Sequence, residues 1–319
     1  MTSLIARRSW LPSAGLLFIT LGAVLLDRFG FLSDSTPLTV IACLALLVFG
    51  LPHGTFDLAL LRPAGGASFR SASSLAVVAL YLGCAAAAYL GWRVGPLFAL
   101  AGFLAMAVAH FAEDWDACGS RFIACGIAAA IVSAPSILHL DQLRGLFALL
   151  TGDAAAAVLA DMLLLVAPVT TAVALIGWVL LWQAGQRALA VSASCALGAM
   201  LLLPPVPGFA LFFCCVHSPI QFRQHAGLLG LHGVKQWGGI VVPLSLAGLG
   251  IAAAVFIENG NASIPANLFA TSFMTLSILT VPHMLMPRLA AFFAIATPDF
   301  QSREGERQND LVIVVEYLS

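Results

Sequence analysis

The chain has 319 residues, of which 61% are hydrophobic and only 9% are charged. A soluble domain usually has about 25% charged residues, so this composition excludes an ordinary water-soluble surface. The formal net charge of −1 offers no basic field for binding nucleic acid.

Long apolar segments follow one another along the sequence. Each is close to the roughly 20 residues that cross a hydrocarbon core about 30 Å thick. We predict an all-α, polytopic integral membrane bundle of about eight to ten transmembrane helices within residues 1–297, followed by a cytoplasmic tail at 298–319. The predicted spans lie near residues 11–26, 38–61, 75–91, 95–112, 122–140, 154–182, 188–203, 207–231, 241–257 and 264–296.

Basic residues are distributed unevenly among the segments that join these spans. With the N-terminus inside, most of the arginines and the single lysine, Lys235, fall on the cytoplasmic side, whereas Arg28, Arg93 and Arg144 fall outside. Lys and Arg stay preferentially in short cytoplasmic segments. We therefore expect a multi-pass protein with both termini in the cytoplasm.

Histidines and carboxylates recur on the second, fourth, eighth and tenth predicted spans. His53 and Asp57 are four residues apart, and so are His110 and Asp114, so that each pair shares one helical face. An ionisable group inside a membrane is costly and usually faces the interior of a bundle. The later spans continue the series with His217, Gln221, His225 and His283.

These four spans run in the same direction in the predicted topology, so their imidazoles can converge in one zone. Neutral imidazole is a common ligand of transition metals, and metal sites in bundles use side chains from facing helices. A ligating histidine usually donates its other ring N–H to a carboxylate, a role for which Asp57 and Asp114 are candidates. His225 is a third candidate for this outer role. An open coordination position for dioxygen indicates iron and not a closed structural zinc.

Other residues near the site have two interpretations. Phe212, Phe213 and Phe222 could line a channel for a long ligand, although packing in the core is the alternative. Glu113 is interpreted as a hydrated residue near the membrane surface. Because Lys235 lies in a loop, the chain has neither a Walker lysine nor the mid-membrane lysine of an opsin.

Four of these segments, taken in order, resemble the bacterial membrane family of Brp/Blh-type β-carotene 15,15′-dioxygenases. The stretch from Phe49 to Asp57 is similar to the family's G-x-P-H-G-x-x-D signature, and His110-Phe111 with Asp114 is similar to its second box. The stretch Cys214 to Pro219 resembles its HSP box, and Pro282-His283-Met284 its late PHM element. The resemblance spans roughly residues 45 to 290.

The resemblance implies central cleavage of β-carotene by O2, at an Fe(II) ion held by histidines, to give two retinals. It makes His53, His110 and His217 iron ligands. Gln221 stands where the family usually has another histidine. Gln221 itself, His283 or His225 would then complete the ligand set. Otherwise the metal keeps an extra water, or this member has drifted in substrate or activity. The carboxylates would orient ligands, with no catalytic residue beyond the ligands themselves.

The same resemblance implies surroundings and partners for the enzyme. It places the chain in the bacterial inner membrane, with O2 and a long apolar carotenoid as substrates and a rhodopsin as acceptor of the retinal. A second hypothesis is a proton- or ion-coupled transporter in which Asp57, Asp114 and the histidines form a relay. A third is a non-catalytic membrane protein that binds a carotenoid or retinal.

Overall fold

The computed structural model describes residues 13–31, 36–56, 72–152, 154–231, 233–260 and 262–296. Within these ranges, side chains are described except at positions 13, 53, 72–74, 154, 228, 234 and 286–296. Every regular element in this part of the chain is helical, which confirms the predicted all-α class. The predicted tail from residue 298 lies outside the described residues.

The helices are numbered here in chain order. The α-helices are α1 (Ser13–Arg28), α2 (Thr36–Gly50), α3 (Ala72–Val94), α4 (Pro96–Phe111), α5 (Arg121–Ser133), α6 (Pro135–Leu138), α7 (Leu140–Thr151), α8 (Ala157–Gln183), α9 (Arg187–Leu202), α10 (Pro205–Phe212), α11 (Ser218–Leu228), α12 (Val234–Glu258) and α13 (Ile264–Ala296). Shorter 3-10 elements lie at Leu51–Phe56, Ala112–Cys118 and Ala154–Ala156, and a π-helical turn lies at Phe213–His217.

Eight helices of the described chain are long and apolar enough to cross a membrane. This number agrees with the lower end of the predicted eight to ten. The other two predicted spans, 11–26 and 188–203, correspond to α1 and α9, which have 16 residues each. Helices of that length extend about 24 Å, less than a typical hydrocarbon core.

The outer surface of the bundle is strongly apolar. In the most apolar stretch of each helix, only 17% of α8 and 22% of α12 is buried. Large apolar side chains such as Phe98 and Leu165 are 82% and 79% exposed. A surface of this kind is stable against lipid and unstable against water. The helices therefore indicate a membrane protein.

Small residues bring several helices close together. Gly126 of α5 lies against Val173 of α8, and Gly177 of α8 lies against Ile127 of α5, so closely that an added methyl group would overlap those side chains. Small residues at helix contacts are typical of membrane bundles, where van der Waals packing holds the helices together.

Elements that carry the predicted site residues are neighbours in the bundle. The 3-10 turn Leu51–Phe56 packs against α11, α12 and α13, and α13 also contacts α2 and α4. This arrangement brings the last turn of α4, the π turn, α11 and the middle of α13 into one region.

Candidate active site

One buried imidazole contacts two others that come from two different segments. His110 lies at the end of α4, His217 closes the π turn and His283 lies within α13. The ring of His110 stands at the centre, with its centroid 4.7 Å from that of His217 and 4.7 Å from that of His283. Both contacts are edge-on, at interplanar angles of 81° and 80°. The structure therefore brings together three of the four histidines that were expected to converge, and the side chain of the fourth, His53, lies outside the described residues.

The π turn sets the direction of His217. Within it, the N–H of Ser218 donates to the carbonyl of Phe213, five residues earlier. Pro219 follows directly and has no N–H, so an α-helical hydrogen bond to the carbonyl of Cys215 cannot form. One extra residue in a turn rotates the following side chains relative to a regular helix, and such π turns are frequent at functional sites.

Asp114 connects His217 with Gln221. Its Oδ2 lies 2.8 Å from Nδ1 of His217, and its Oδ1 accepts a hydrogen bond of 2.8 Å from Nε2 of Gln221. All three side chains are buried. While Asp114 is ionised, its carboxylate only accepts hydrogen bonds, and this contact then requires the hydrogen of the His217 ring to be on Nδ1. Nε2 is then the nitrogen with the lone pair.

Glu113 is the carboxylate beside His110. Its Oε2 lies 3.3 Å from Nδ1 of His110, and its side chain is 35% exposed. Both residues lie where α4 gives way to the 3-10 element Ala112–Cys118, in which residues three apart stand above one another. The interpretation of Glu113 as a hydrated residue near the membrane surface did not include this contact, although its side chain is partly exposed.

The outer part of the site contains His225 and the segment around His53. The His225 ring lies 5.9 Å from that of His283. His53 belongs to the 3-10 turn Leu51–Phe56, where Phe56 packs on Phe222 of α11 at 5.0 Å between ring centroids. The backbone therefore places His53 next to the helix that carries Gln221 and His225, while its side chain and Asp57 lie outside the described residues.

Imidazoles that bind the same ion have a characteristic ring spacing. Two imidazoles bound to one ion through bonds of about 2.1 Å would have ring centroids about 5 Å apart. The separations of 4.7 Å from His110 to His217 and to His283 match this value. Among the described side chains, however, no group of three or more His, Cys, Asp or Glu residues is arranged to hold a metal ion. The ring spacing is therefore compatible with an ion shared by two histidines, although edge-to-face packing of two rings gives the same separation. The side chain of His53 is outside this comparison.

Aromatic side chains surround His217. Phe111 and Phe213 approach its ring with centroids at 4.8 Å and 5.1 Å. Phe212 is buried against Phe111 at 4.9 Å, and Phe222 packs between Phe56 and Trp237. Two of the three phenylalanines that the sequence analysis assigned to a substrate channel, Phe212 and Phe213, thus lie around the histidine site.

An apolar cavity extends from Phe111 between α4, α5, α7, α10 and α13. It holds about 680 Å³ of space between atoms, part of which is open to the outside, and its described lining residues are all apolar. Phe212, Phe213 and Phe222 are not among these lining residues, whose phenylalanines are Phe103, Phe111, Phe147, Phe209, Phe269 and Phe273. Sequence reasoning missed this set, because apolar stripes at helical spacing look the same whether they enclose a cavity or a filled core.

Comparisons with known proteins support a family assignment. The model of the family described as beta-carotene 15,15′-dioxygenase matches residues 44–290. A protein of an uncultured marine bacterium, 66A03, named beta-carotene 15,15′-dioxygenase, is 29% identical over 264 residues, which cover 76% of this chain and 90% of that protein. No solved structure matches the chain significantly.

Proposed function

Since the chain belongs to the β-carotene 15,15′-dioxygenase family and is a carotenoid-cleaving enzyme, we propose that it cleaves the central double bond at a non-haem iron held by membrane helices. One molecule of β-carotene and one of O2 give two molecules of retinal, so each carbon of the broken bond receives one oxygen atom. The single observation that carries this proposal is the contact of His110 with both His217 and His283.

The proposed iron ligands are His53, His110, His217 and His283. His283 is preferred to His225 because its ring contacts His110, whereas the His225 ring lies beyond it, 5.9 Å from His283. Gln221 already directs its amide nitrogen toward Asp114. This bond supports a role in holding the carboxylate, so Gln221 is left out of the proposed ligand set.

The carboxylates orient the ligands. Asp114 holds the N–H of His217 on Nδ1, and Glu113 is placed to do the same for His110. A histidine fixed in this tautomer presents Nε2 to a metal and is a stronger electron donor. When bound, iron supplies the activation of dioxygen that no side chain can provide. Phe111 and Phe213 cover the ring of His217 and keep water away from it.

The surroundings follow from the nature of the substrate. A carotenoid is long and apolar and dissolves in the bilayer, so a membrane-embedded site can receive it directly from lipid. The exposed apolar faces of α8 and α12 support this location. We place the enzyme in the bacterial inner membrane with both termini cytoplasmic, and a rhodopsin is the proposed acceptor of the retinal.

The decisive experiment expresses the chain in a bacterium that makes β-carotene. The cells should lose their orange colour and accumulate retinal, and the purified protein should contain about one iron per chain. His110→Ala should abolish both retinal and bound iron, with expression verified by immunoblot. Intact carotenoid beside well-expressed protein would reject the dioxygenase proposal. Carotenoid bound without cleavage would identify a binder, and iron-free protein would reject the metal centre.

A further inference from the structure

The apolar cavity reaches the histidine site at Phe111. Phe111 is the last residue of α4 and lines the cavity. The other side of its ring meets His217 at a centroid distance of 4.8 Å and His110 at 6.1 Å. A molecule in the cavity would therefore reach the histidines past Phe111.

The opposite end of the cavity is lined by residues about three helical turns before the histidines. Leu100 precedes His110 by ten residues on α4 and lines the cavity, so it lies about 15 Å from that histidine along the axis. Pro205 precedes His217 by twelve residues, an axial distance of about 18 Å. Both residues line the same cavity. Two helices therefore independently give a cavity depth of about 15 to 20 Å, measured from the histidines.

Helix α5 supports the same depth from the opposite direction. It begins at Arg121, whose guanidinium donates to the carbonyl of Ala109 and to Asp116, and this fixes its first turn at the histidine end. Ile131, about 15 Å further along α5, lines the cavity, as does Pro135 at the start of α6. The connection between α5 and α7 therefore marks the far end.

Helix α7 forms a wall there with one continuous apolar face. Leu143, Leu146, Phe147 and Leu150 follow the spacing of a single helical stripe and all line the cavity. Its polar face lies on the other side, where Arg144 binds Asp141 and Asp161. Leu143 is the lining residue of α7 closest in sequence to Pro135 and is therefore assigned to the far end.

This depth matches half of a carotenoid. An extended carbon chain advances about 1.2 Å per bond, so the roughly eleven bonds from the central carbon of β-carotene to the far edge of its terminal ring extend about 13 Å. One arm therefore fits within the depth of the cavity when its central bond lies beside the histidines. An arm that could not enter to this depth would place a different double bond beside the histidines.

We propose that this cavity receives one arm of the carotenoid and that its far end, formed in part by Leu143, selects which double bond is cleaved. The inference rests on the proposed function and adds the determinant of position. Recognition is purely by shape, because the described lining offers no polar group to the terminal ring. Leu143 acts as a positioning residue, since it lies far from the reacting atoms.

The test compares the products and kinetics of three variants. Leu143→Phe shortens the cavity and should lower retinal formation about tenfold, with unequal, eccentric cleavage products appearing by chromatography. Leu143→Ala deepens it and should raise KM for β-carotene several-fold at nearly unchanged kcat. Leu149→Phe is the matched control, because Leu149 lies on the same helix, is 43% exposed and is outside the cavity; it should behave as the unmodified enzyme.

Retinal alone at the unmodified rate from folded Leu143→Phe would overturn the inference. If that variant does not fold, Leu143→Ala decides, and an unchanged KM would overturn it. Binding of β-carotene without oxygen, followed by its absorption spectrum, separates the two proposals. Should the unmodified chain bind carotenoid but form no retinal, the dioxygenase proposal fails, and weaker binding by Leu143→Phe than by Leu149→Phe would still support the cavity assignment.

Discussion

Asp114 and His217 lie 103 positions apart in the chain, yet Oδ2 of the first is 2.8 Å from Nδ1 of the second, with both side chains fully buried. The second oxygen of the same carboxylate accepts a hydrogen bond from Gln221. Asp114 thus fixes two residues of α11 and the π turn relative to α4. Two acceptor atoms on one side chain are required for this arrangement.

Asp114→Asn should reduce iron content and retinal formation by about 10- to 100-fold. Asparagine has one acceptor oxygen and one NH2 group, so it cannot accept from both Gln221 and His217. If its NH2 group faces Nδ1 of His217, the ring hydrogen moves to Nε2 and blocks the nitrogen needed for the metal. Metal analysis and product assays on the purified protein measure the effect.

Asp116→Asn is the matched control for that change. Asp116 lies two residues further on, is 62% exposed and pairs only at the surface with Arg121. Surface ion pairs contribute about 0 to 1 kcal/mol, so iron content and activity should stay near those of the unmodified enzyme. Equal losses in the two variants would show that the position of Asp114 has no special role.

Substitutions of Gln221 should affect stability as well as metal binding. Gln221→Met keeps the size of the side chain but removes the donor to Asp114, at a cost of about 1 to 3 kcal/mol for the buried group. Gln221→Glu should be worse, because it places a second carboxylate 2.8 Å from the first in a buried site. Thermal unfolding in detergent should rank the proteins as unmodified, Met and then Glu. A Glu variant as stable as the unmodified protein would contradict the hydrogen bond.

Close packing of α9 and α10 leads to a prediction about stability alone. A methyl group added at Gly208 would lie 2.7 Å from the backbone carbonyl oxygen of Ala199, which cannot rotate away. Gly208→Ala should therefore destabilise the protein by about 1 to 3 kcal/mol. Gly198→Ala, on the neighbouring helix with nothing within 4 Å, should be neutral or slightly stabilising. Unfolding temperatures of the two variants in one detergent test the difference.

The sequence predicted the helical membrane bundle, because apolar length is a local property. It also predicted the convergence of four histidines, of which the three with described side chains lie together. It did not predict which carboxylate serves which histidine. The interval of four between His110 and Asp114 implies one face only in an α-helix, but a 3-10 element begins at Ala112. This change turns Glu113 toward His110 and frees Asp114 to reach His217. Tertiary contacts, not local spacing, decide such pairings.

The cavity was equally beyond sequence reasoning. Leu100, Phe103, Ala107 and Phe111 form a stripe on α4 that is indistinguishable from ordinary core residues. Whether two facing stripes fill the space between them depends on helix separation and on the size of side chains from four or five elements. That information is contained only in the packed structure.

His283 and His225 provide the last prediction, because the sequence left open which of them completes the ligand set. The His283 ring lies 4.7 Å from that of His110 and is 7% exposed, whereas the His225 ring lies 5.9 Å from that of His283. His283→Ala should therefore lose bound iron and more than about 100-fold in activity, while His225→Ala should lose about tenfold or less. Iron content is measured after purification without added metal. A variant that has lost a ligand contains little iron, whereas a variant that reacts slowly at an intact centre still contains it. If His225→Ala were the iron-free protein, His225 would be the ligand, and His283 would instead orient it through the ring contact between them.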